Sequence, residues 1–95
     1  MQLDIISPEA QLFSGQVEAV QFPGLDGSFQ VLKDHAPIIS ALKSGIVSVR
    51  LTSKIEKPEK LHKSISVDNS QTTLSVSING GVMEMQNNKI ILLAE

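Results

Sequence analysis

The chain has 95 residues, a formal net charge of −2 at pH 7, and no cysteine, tyrosine or tryptophan. This length allows one small domain with one modest core. The acidic balance and the shortage of aromatic side chains exclude nucleic-acid binding through a basic, stacking surface, and the absence of cysteine excludes disulfides, thiolate catalysis and the common structural zinc sites.

Alternation of apolar and polar residues predicts strands in the first half of the chain. Residues 2–5 alternate in the manner of a half-buried strand. Residues 17–22 carry apolar side chains on both faces and end at Pro23-Gly24. Residues 28–32 begin after an Asp26-Gly27 turn, in which the glycine accepts a positive φ.

The second half continues this pattern to the C-terminus. Asn79-Gly80-Gly81 and Asn87-Asn88 are turn sequences between apolar runs. The strands predicted here are residues 47–52, 65–67, 74–79, 82–86 and 89–93. Many short strands separated by Gly, Asn and Pro predict an all-β fold, a small antiparallel β-sandwich or flattened barrel of about ten short strands. We expect residues 1–95 to form one domain.

Two segments differ from the strands around them. Residues 33–36 are the only candidate for a helical turn, and Pro37 ends it. Residues 54–63 are highly charged, which is typical of a solvated hairpin tip or loop; a contact arm for a partner is the alternative. Glu56 and Glu59 interrupt its lysines, so this segment is not a basic patch. No apolar run approaches the ~20 residues of a membrane span, and the N-terminus does not resemble a signal or transit peptide.

Candidate catalytic and ligand-binding residues are few. Ser14, Asp34 and His35 supply the residue types of a hydrolase triad. However, Ser14 lies outside a Gly-x-Ser-x-Gly elbow, and Asp34 adjoins His35, an awkward position from which to orient the imidazole ring. His35 and His62 lack metal-ligand spacing, and Pro-Gly-Leu-Asp-Gly matches no phosphate loop or dinucleotide fingerprint. We therefore predict a non-catalytic protein without metal, nucleotide or other cofactor, in which His35 has a structural or interface role.

The strands carry more apolar residues than one core requires. Successive side chains point to opposite faces of a strand, so residues 17–22 cannot direct all their apolar side chains to one core. Val82 shares a face with Glu84 and lies opposite Met83, and residues 37–42 are also rich in apolar side chains. Single apolar side chains on a surface are normal, whereas a contiguous group of them indicates a partner site.

Several motifs at fixed spacing resemble the ε subunit of F-type ATP synthases, the equivalent of the mitochondrial δ subunit. The resemblance covers nearly the whole chain apart from residues 52–73, and its specificity lies in the combined spacing. The matching stretches are Leu3-Asp4-Ile5-Ile6-Ser7-Pro8-Glu9, Phe13-Ser14-Gly15, Val17-Glu18, Pro23-Gly24, Asp26-Gly27, His35-Ala36-Pro37, Ala41-Leu42-Lys43, Gly45, Gly80-Gly81-Val82-Met83-Glu84-Met85 and Ile91-Leu92-Leu93-Ala94-Glu95.

The resemblance implies the N-terminal β-sandwich domain of a rotary central stalk. In that family the domain binds the foot of the γ subunit, rests on the membrane-embedded c-ring and helps to transmit torque, whereas nucleotide chemistry takes place in the α/β hexamer. It implies a hetero-oligomer with γ and the c-ring, no membrane insertion of its own and no nucleic-acid partner. The implied location is the cytoplasmic face of a bacterial plasma membrane, with an organellar inner or thylakoid membrane as the alternative.

The resemblance also assigns two sets of contact residues. Where many relatives have a second acidic residue in the c-ring-facing turn this chain has Ser28, which leaves Asp26 to pair with a basic c loop; an exposed pair typically contributes less than ~1 kcal/mol. In the γ-facing set we expect apolar burial to dominate, at roughly 25 cal/mol per Å². The c-ring-facing turn is Gly24, Leu25, Asp26, Gly27 and Ser28, and the γ-facing set is Leu12, His35, Ala36, Pro37, Ile39, Ser40 and Val82.

The chain also departs from the family pattern. Many relatives continue into a helical hairpin that can brake ATP hydrolysis or bind ATP; this hairpin is absent from residues 1–95, so neither activity is assigned. Residues 52–73 exceed the family's usual short hairpin, and Ile65 and Val67 are predicted to extend two strands. The residues alone leave two other functions open. One is a generic β-sandwich interaction or ligand-binding module, and the other is a small hydrolase with a close Ser14–His35 pair in a deep pocket.

Overall fold

The computed structural model describes residues 1–95 and contains nine β-strands and no α-helix. The all-β prediction is confirmed, although the strands number nine and β2, with 14 residues, is not short. The strands are β1 (Gln2–Ile6), β2 (Gln11–Gly24), β3 (Gly27–Leu32), β4 (Ile38–Leu42), β5 (Gly45–Leu51), β6 (Ile65–Val67), β7 (Thr73–Ile78), β8 (Gly81–Gln86) and β9 (Lys89–Ala94).

Two layers of sheet are joined through β2. The first layer contains β4, β8, β9, β1 and the N-terminal part of β2. The second contains β3, the C-terminal part of β2, β5, β7 and β6. All neighbouring strands are antiparallel except β1 and β9, which are parallel. The strands therefore form a flattened barrel that β2 crosses from one side to the other.

A register shift in β2 changes which of its side chains are buried. The shift lies between Val17 and Ala19, where β2 leaves β1 and pairs with β5. A bulge of this kind resets the alternation of side chains, so Val17 and Val20 both enter the core although they are an odd number of residues apart. Phe22 and Ala19 are buried as well. The expectation that residues 17–22 leave an apolar set uncovered is therefore wrong.

The core lies between the two layers and contains no buried polar or charged residue. Twenty buried apolar residues from both layers form one cluster, and Phe22 packs against Phe29 with ring centroids 5.5 Å apart. Inward-facing residues alternate with outward-facing ones along β5, β7, β8 and β9, which is the pattern expected of packed sheets.

The segments outside the strands differ partly from expectation. Residues 33–36 form a turn and no helix, while a short 3₁₀ turn occurs at Pro58–Lys60. The charged segment 54–63 is a loop, as predicted, and it is attached to the core through Ile55 and Leu61. Ile65 and Val67 belong to β6, which has only three residues. The chain holds no helix long and apolar enough to cross a bilayer.

The connections between strands lie at two opposite ends of the barrel. At one end, Gly24 pairs with both Gly27 and Leu42, which brings the β2–β3 turn beside the β4–β5 connection. At the other end, the β3–β4 loop (residues 33–37) precedes Ile38, which pairs with Met85 near the β8–β9 turn. The β2–β3 turn and the β3–β4 loop are thus separated by the length of β3.

Candidate protein-interaction surface

An apolar row crosses the outer face of the first layer. Ala41 pairs with Val82, Val82 with Leu93, and Leu93 with Ile6, so the four side chains lie side by side on four strands. Val82 and Leu93 are 44% and 53% exposed. The neighbouring row adds Ile39 and Ile91, which flank Glu84. We call this surface the apolar strip; it comprises Ile6, Ile39, Ala41, Val82, Ile91 and Leu93.

Strand alternation explains why these side chains face outward. In β8, Met83 and Met85 are fully buried, so Val82 and Glu84 must point away from the core. In β9 the same argument applies around Leu92, which is buried between two outward-facing neighbours, Ile91 and Leu93. The predicted orientation of Val82 is therefore confirmed. The apolar residues of β8 and β9 fill the core on one face and form the strip on the other.

The strip has a concave centre. Ile39, Val82, Glu84, Ile91 and Leu93 line a depression of about 410 Å³. Ile39 is 70% exposed, the largest value among the exposed large apolar side chains. A contiguous, partly concave apolar surface on a small domain is typical of a site that a protein partner covers.

A polar cluster borders the strip on β1 and β2. Ser14 Oγ donates a hydrogen bond to Asp4 Oδ1 over 2.7 Å, and Gln2 Nε2 donates to the same oxygen over 2.9 Å. Lys89 Nζ lies 3.8 Å from Asp4 Oδ2. The hydrogen bond from Ser14, followed by that from Gln2 and the charge of Lys89, holds the pKa of Asp4 below its ordinary value. Asp4 therefore stays ionised, and its charge marks the edge of the apolar strip on β1.

The predicted γ-facing residues do not all lie on one surface. Ile39 and Val82 belong to the apolar strip. Ser40 alternates with strip residues along β4 and pairs with the buried Met83, so its side chain lies on the inner face, where its Oγ donates to the Ala41 carbonyl oxygen over 3.2 Å. His35, Ala36 and Pro37 are exposed in the β3–β4 loop, directly before β4. Leu12 is separate from both groups, because it lies on β2, is half-buried and packs against the core.

Sequence reasoning missed part of the strip. Ile6, Ala41, Ile91 and Leu93 were not among the predicted contact residues, although all four face outward beside Val82 and Ile39. The uninterrupted apolar run of residues 90–93 was the available signal, because a strand that is apolar at every position has one set of side chains outside a single core. Cross-strand register was needed to show that the outward set adjoins Val82.

The predicted c-ring-facing turn lies at the opposite end from the β3–β4 loop. Gly24 pairs with Gly27 across the turn, and Gly27 has φ +127°, a conformation that favours glycine. A Cβ on Gly24 would lie 2.7 Å from the Gly27 carbonyl oxygen, so this position also needs glycine. Leu25 is 62% exposed at the tip beside Asp26. A groove of about 520 Å³ runs from this turn along Phe29 to β4.

The hydrolase hypothesis finds no support in the geometry. Ser14 Oγ is hydrogen-bonded to Asp4, whereas His35 Nδ1 lies 2.6 Å from the Ala36 carbonyl oxygen. Neither Ser14 nor His35 lines the 520 Å³ groove. The chain brings together no group of three His, Asp or Glu side chains that could hold a metal ion. The exposed surfaces therefore offer area for contact with a partner, and they do not bring Ser14 and His35 together as a nucleophile and its base.

The fold and the apolar strip together define a β-sandwich interaction domain. Residues 1–62 match the family described as "ATP synthase, Delta/Epsilon chain, beta-sandwich domain". The chain is 43% identical to the ATP synthase epsilon chain of Chlorobium limicola, over 99% of this chain and 88% of that one. It is 42% identical to the ATP synthase epsilon chain of Chlorobaculum tepidum, over 98% and 86%. The chain therefore belongs to the ATP synthase delta/epsilon family.

A solved structure shares the fold at low sequence identity. It is a chain in the central stalk and c-ring structure of Tetrahymena thermophila mitochondrial ATP synthase, with a TM-score of 0.71 and 14% identity. The match covers 99% of this chain and 62% of that chain. The same β-sandwich thus accommodates very different sequences, because its strands need the pattern of inward-facing apolar residues more than particular side chains.

Proposed function

We propose that this chain is the ε subunit of an F-type proton-translocating ATP synthase, a non-catalytic component of the central stalk. It binds the γ subunit, rests on the c-ring and helps to couple proton flow to ATP synthesis or hydrolysis. Membership of the family supports this function. The solved relative was determined as part of a central stalk and c-ring assembly, which supports the choice of partners.

The apolar strip is the observation that best supports the proposed γ contact. Ile39 and Val82 of the γ-facing set adjoin Leu93 and Ile6, so the proposed contact surface extends across β4, β8, β9 and β1. Full burial of one such side chain contributes roughly 1.5–3 kcal/mol before the costs of association. Because several side chains are contiguous, a flat or convex apolar patch on γ would cover them together. The exposed loop residues His35, Ala36 and Pro37 would form the edge of the contact, whereas Ser40 faces away from the strip.

The β2–β3 turn is the proposed c-ring contact. Its exposed Leu25 and Asp26 protrude at the end opposite the β3–β4 loop, which leaves γ and the c-ring room to bind at the same time. Asp26 has no salt-bridge partner within the chain, and it would face a basic c loop. Because an exposed pair contributes less than ~1 kcal/mol, Asp26 would orient the contact more than hold it. The proposed location is the cytoplasmic face of a bacterial plasma membrane.

Binding to the purified γ subunit and c-ring of the same organism tests this function. We expect the wild-type chain to be retained by both. Val82→Asp should weaken γ binding about 30-fold, because a hot-spot residue at the centre of an interface contributes about 2 kcal/mol and the introduced charge would be buried. The thermal unfolding temperature should change little, since Val82 already faces solvent.

Ile46→Asp is the matched control for this experiment. Ile46 is 54% exposed, similar to Val82, but it lies on β5 in the second layer. This variant should bind γ as the wild type does. A folded chain that binds neither γ nor the c-ring would contradict the proposed function, and equal γ binding by the two aspartate variants would contradict the assignment of the strip.

A further inference from the structure

The β3–β4 loop is held in place with very little burial. Every residue from 32 to 37 is exposed, so no side chain of the loop is anchored in the core. The loop has one backbone hydrogen bond outside the strands, from His35 N to the Leu32 carbonyl oxygen over 3.1 Å. The His35 ring bonds only to the neighbouring Ala36 carbonyl. A loop with so few contacts would ordinarily open locally at low free energy.

Two reciprocal hydrogen bonds tie this loop to the β8–β9 turn. The backbone N–H of Asp34 donates to Asn88 Oδ1 over 2.6 Å, and Asn88 Nδ2 donates to Asp34 Oδ1 over 2.7 Å. The two residues are 54 positions apart in the chain. We call this pair the clasp. It satisfies one donor and one acceptor on each side, and it is the loop's only hydrogen-bonded connection to a distant element.

Both residues of the clasp have a positive φ, which Asn88 shares with Asn87 because these two residues form the β8–β9 hairpin turn. Asp34 has φ +65° and Asn88 has φ +58°, in the left-handed region that most non-glycine residues avoid. Asn and Asp tolerate this region better than other side chains. The left-handed turn at Asp34 directs its N–H and its carboxylate to the same amide group. Backbone strain that persists on an exposed loop is a reason to look for a function.

We infer that Asp34 and Asn88 are positioning residues, which hold His35-Ala36-Pro37 in one conformation before a protein partner binds. This inference rests on the proposed function, in which that loop borders the γ contact. A loop that is already ordered loses less conformational entropy when it docks, so the clasp raises affinity without itself touching the partner. Pro37 lines a depression together with Ile39 and Glu84, so the ordered loop adjoins the apolar strip.

A second carboxylate introduced at the clasp tests this inference. Asn88→Asp places a carboxylate oxygen opposite Asp34 Oδ1, so both bonds can no longer form without repulsion. We expect γ binding about five- to tenfold weaker and faster amide hydrogen exchange at residues 33–36. The double variant Asp34→Asn/Asn88→Asp restores two bonds, because the backbone N–H and the new side-chain amide at position 34 can both donate to the new carboxylate at position 88. It should return both readouts to within about twofold of the wild type.

Asn87→Asp is the matched control for Asn88→Asp. Asn87 lies in the same turn with φ +54°, and no hydrogen bond connects its side chain to the loop. The control adds the same charge in the same backbone conformation and should leave loop exchange and γ affinity unchanged. A general effect of the added charge would appear in both single variants, so Asn87→Asp separates it from loss of the clasp. The double variant has the same net charge as the wild type and tests whether the two hydrogen bonds restore the loop and its binding.

The outcomes separate the clasp from the proposed function. If Asn88→Asp and Asn87→Asp behave alike, or if loop exchange changes without any change in γ affinity, the positioning role is overturned. Failure of the double variant to restore affinity would overturn it as well. The γ contact itself would still stand if Val82→Asp weakens binding in the same assay. If Val82→Asp also binds normally, the assignment of the strip has failed independently of the clasp, whereas the proposed function fails only if the folded wild-type chain binds neither γ nor the c-ring.

Discussion

The outer faces of the two layers differ sharply although the strands beneath them alternate in the same way. On the first layer, Ala41, Val82, Leu93 and Ile6 form an uninterrupted apolar row. On the second layer, the equivalent row contains only uncharged polar side chains. Its members, in spatial order, are Gln30, Gln21, Ser48, Ser75 and Ser66.

Exposed apolar residues on the second layer are isolated. Leu32 pairs with Ala19 on a row that continues to Arg50, and Ile46 pairs with Ser77. Neither has an exposed large apolar neighbour in its row, which is the ordinary state of a protein surface. The difference shows that the number of exposed apolar residues is less informative than their arrangement. Only the first layer has a contiguous apolar surface that remains exposed to solvent in the isolated chain.

The largest expected effect is a difference in stability between variants on the inner and outer faces of β8. Met83→Ala should lower the free energy of unfolding by about 2–5 kcal/mol, because Met83 is fully buried and its truncation leaves a cavity. Val82→Ala, one residue away on the outer face, should change it by less than about 0.5 kcal/mol. Urea denaturation of both variants measures the difference. Similar losses at the two positions would mean that the strip is part of the core rather than a free surface.

An intermediate effect tests how far the partner surface extends beyond the residues predicted from sequence. Leu93→Asp should weaken γ binding about 30-fold, as much as Val82→Asp, because the two side chains are neighbours in one row. Ile46→Asp is again the control, since Ile46 is 54% exposed compared with 53% for Leu93 but lies on β5 in the second layer. If Leu93→Asp binds like this control, the contact ends at β8.

The smallest effect concerns the polar border of the strip. The pKa of Asp4 is lowered in the folded chain, so its ionised form contributes stability above the ordinary aspartate pKa of about 4. This contribution is lost as the pH falls through the lowered pKa. Ser14→Ala removes the largest cause of the shift, and it should destabilise the chain by less than about 1 kcal/mol at pH 7.

Urea unfolding at two pH values separates ionisation from packing. The difference between wild type and Ser14→Ala should be largest at pH 7 and should shrink as the pH falls through the lowered pKa of Asp4, because protonation removes the charge that the Ser14 hydrogen bond stabilises. A difference of the same size at both pH values would mean that Ser14 acts through packing or backbone effects and not through the charge of Asp4.

Parts of the surface could be predicted because they depend on local chemistry. The turn at Asp26-Gly27 was predicted from its glycine, and Gly27 does have a positive φ. The outward orientation of Val82 was predicted from alternation within one strand and is confirmed. Both predictions required only residues that are neighbours in the chain, where backbone sterics and the two-residue period of a strand decide the outcome.

Other parts could not be predicted because they depend on residues far apart in the chain. The bulge in β2 arises where this strand exchanges β1 for β5, and no local pattern shows at which residue the exchange occurs. The clasp joins Asp34 to Asn88, and each residue alone suggests only a turn. The contact roles of the γ-facing set and of the c-ring-facing turn stay predictions that the binding experiments above address.

The sequence by itself determined the all-β class and most turn positions, because hydrophobic periodicity and turn chemistry are local properties. The tertiary structure decided which leftover apolar residues become neighbours. The register between β8, β9 and β1 places Val82, Leu93 and Ile6 side by side, and a shift by one residue would turn these side chains to the other face. Cross-strand register, a non-local property, therefore converts scattered apolar residues into one surface.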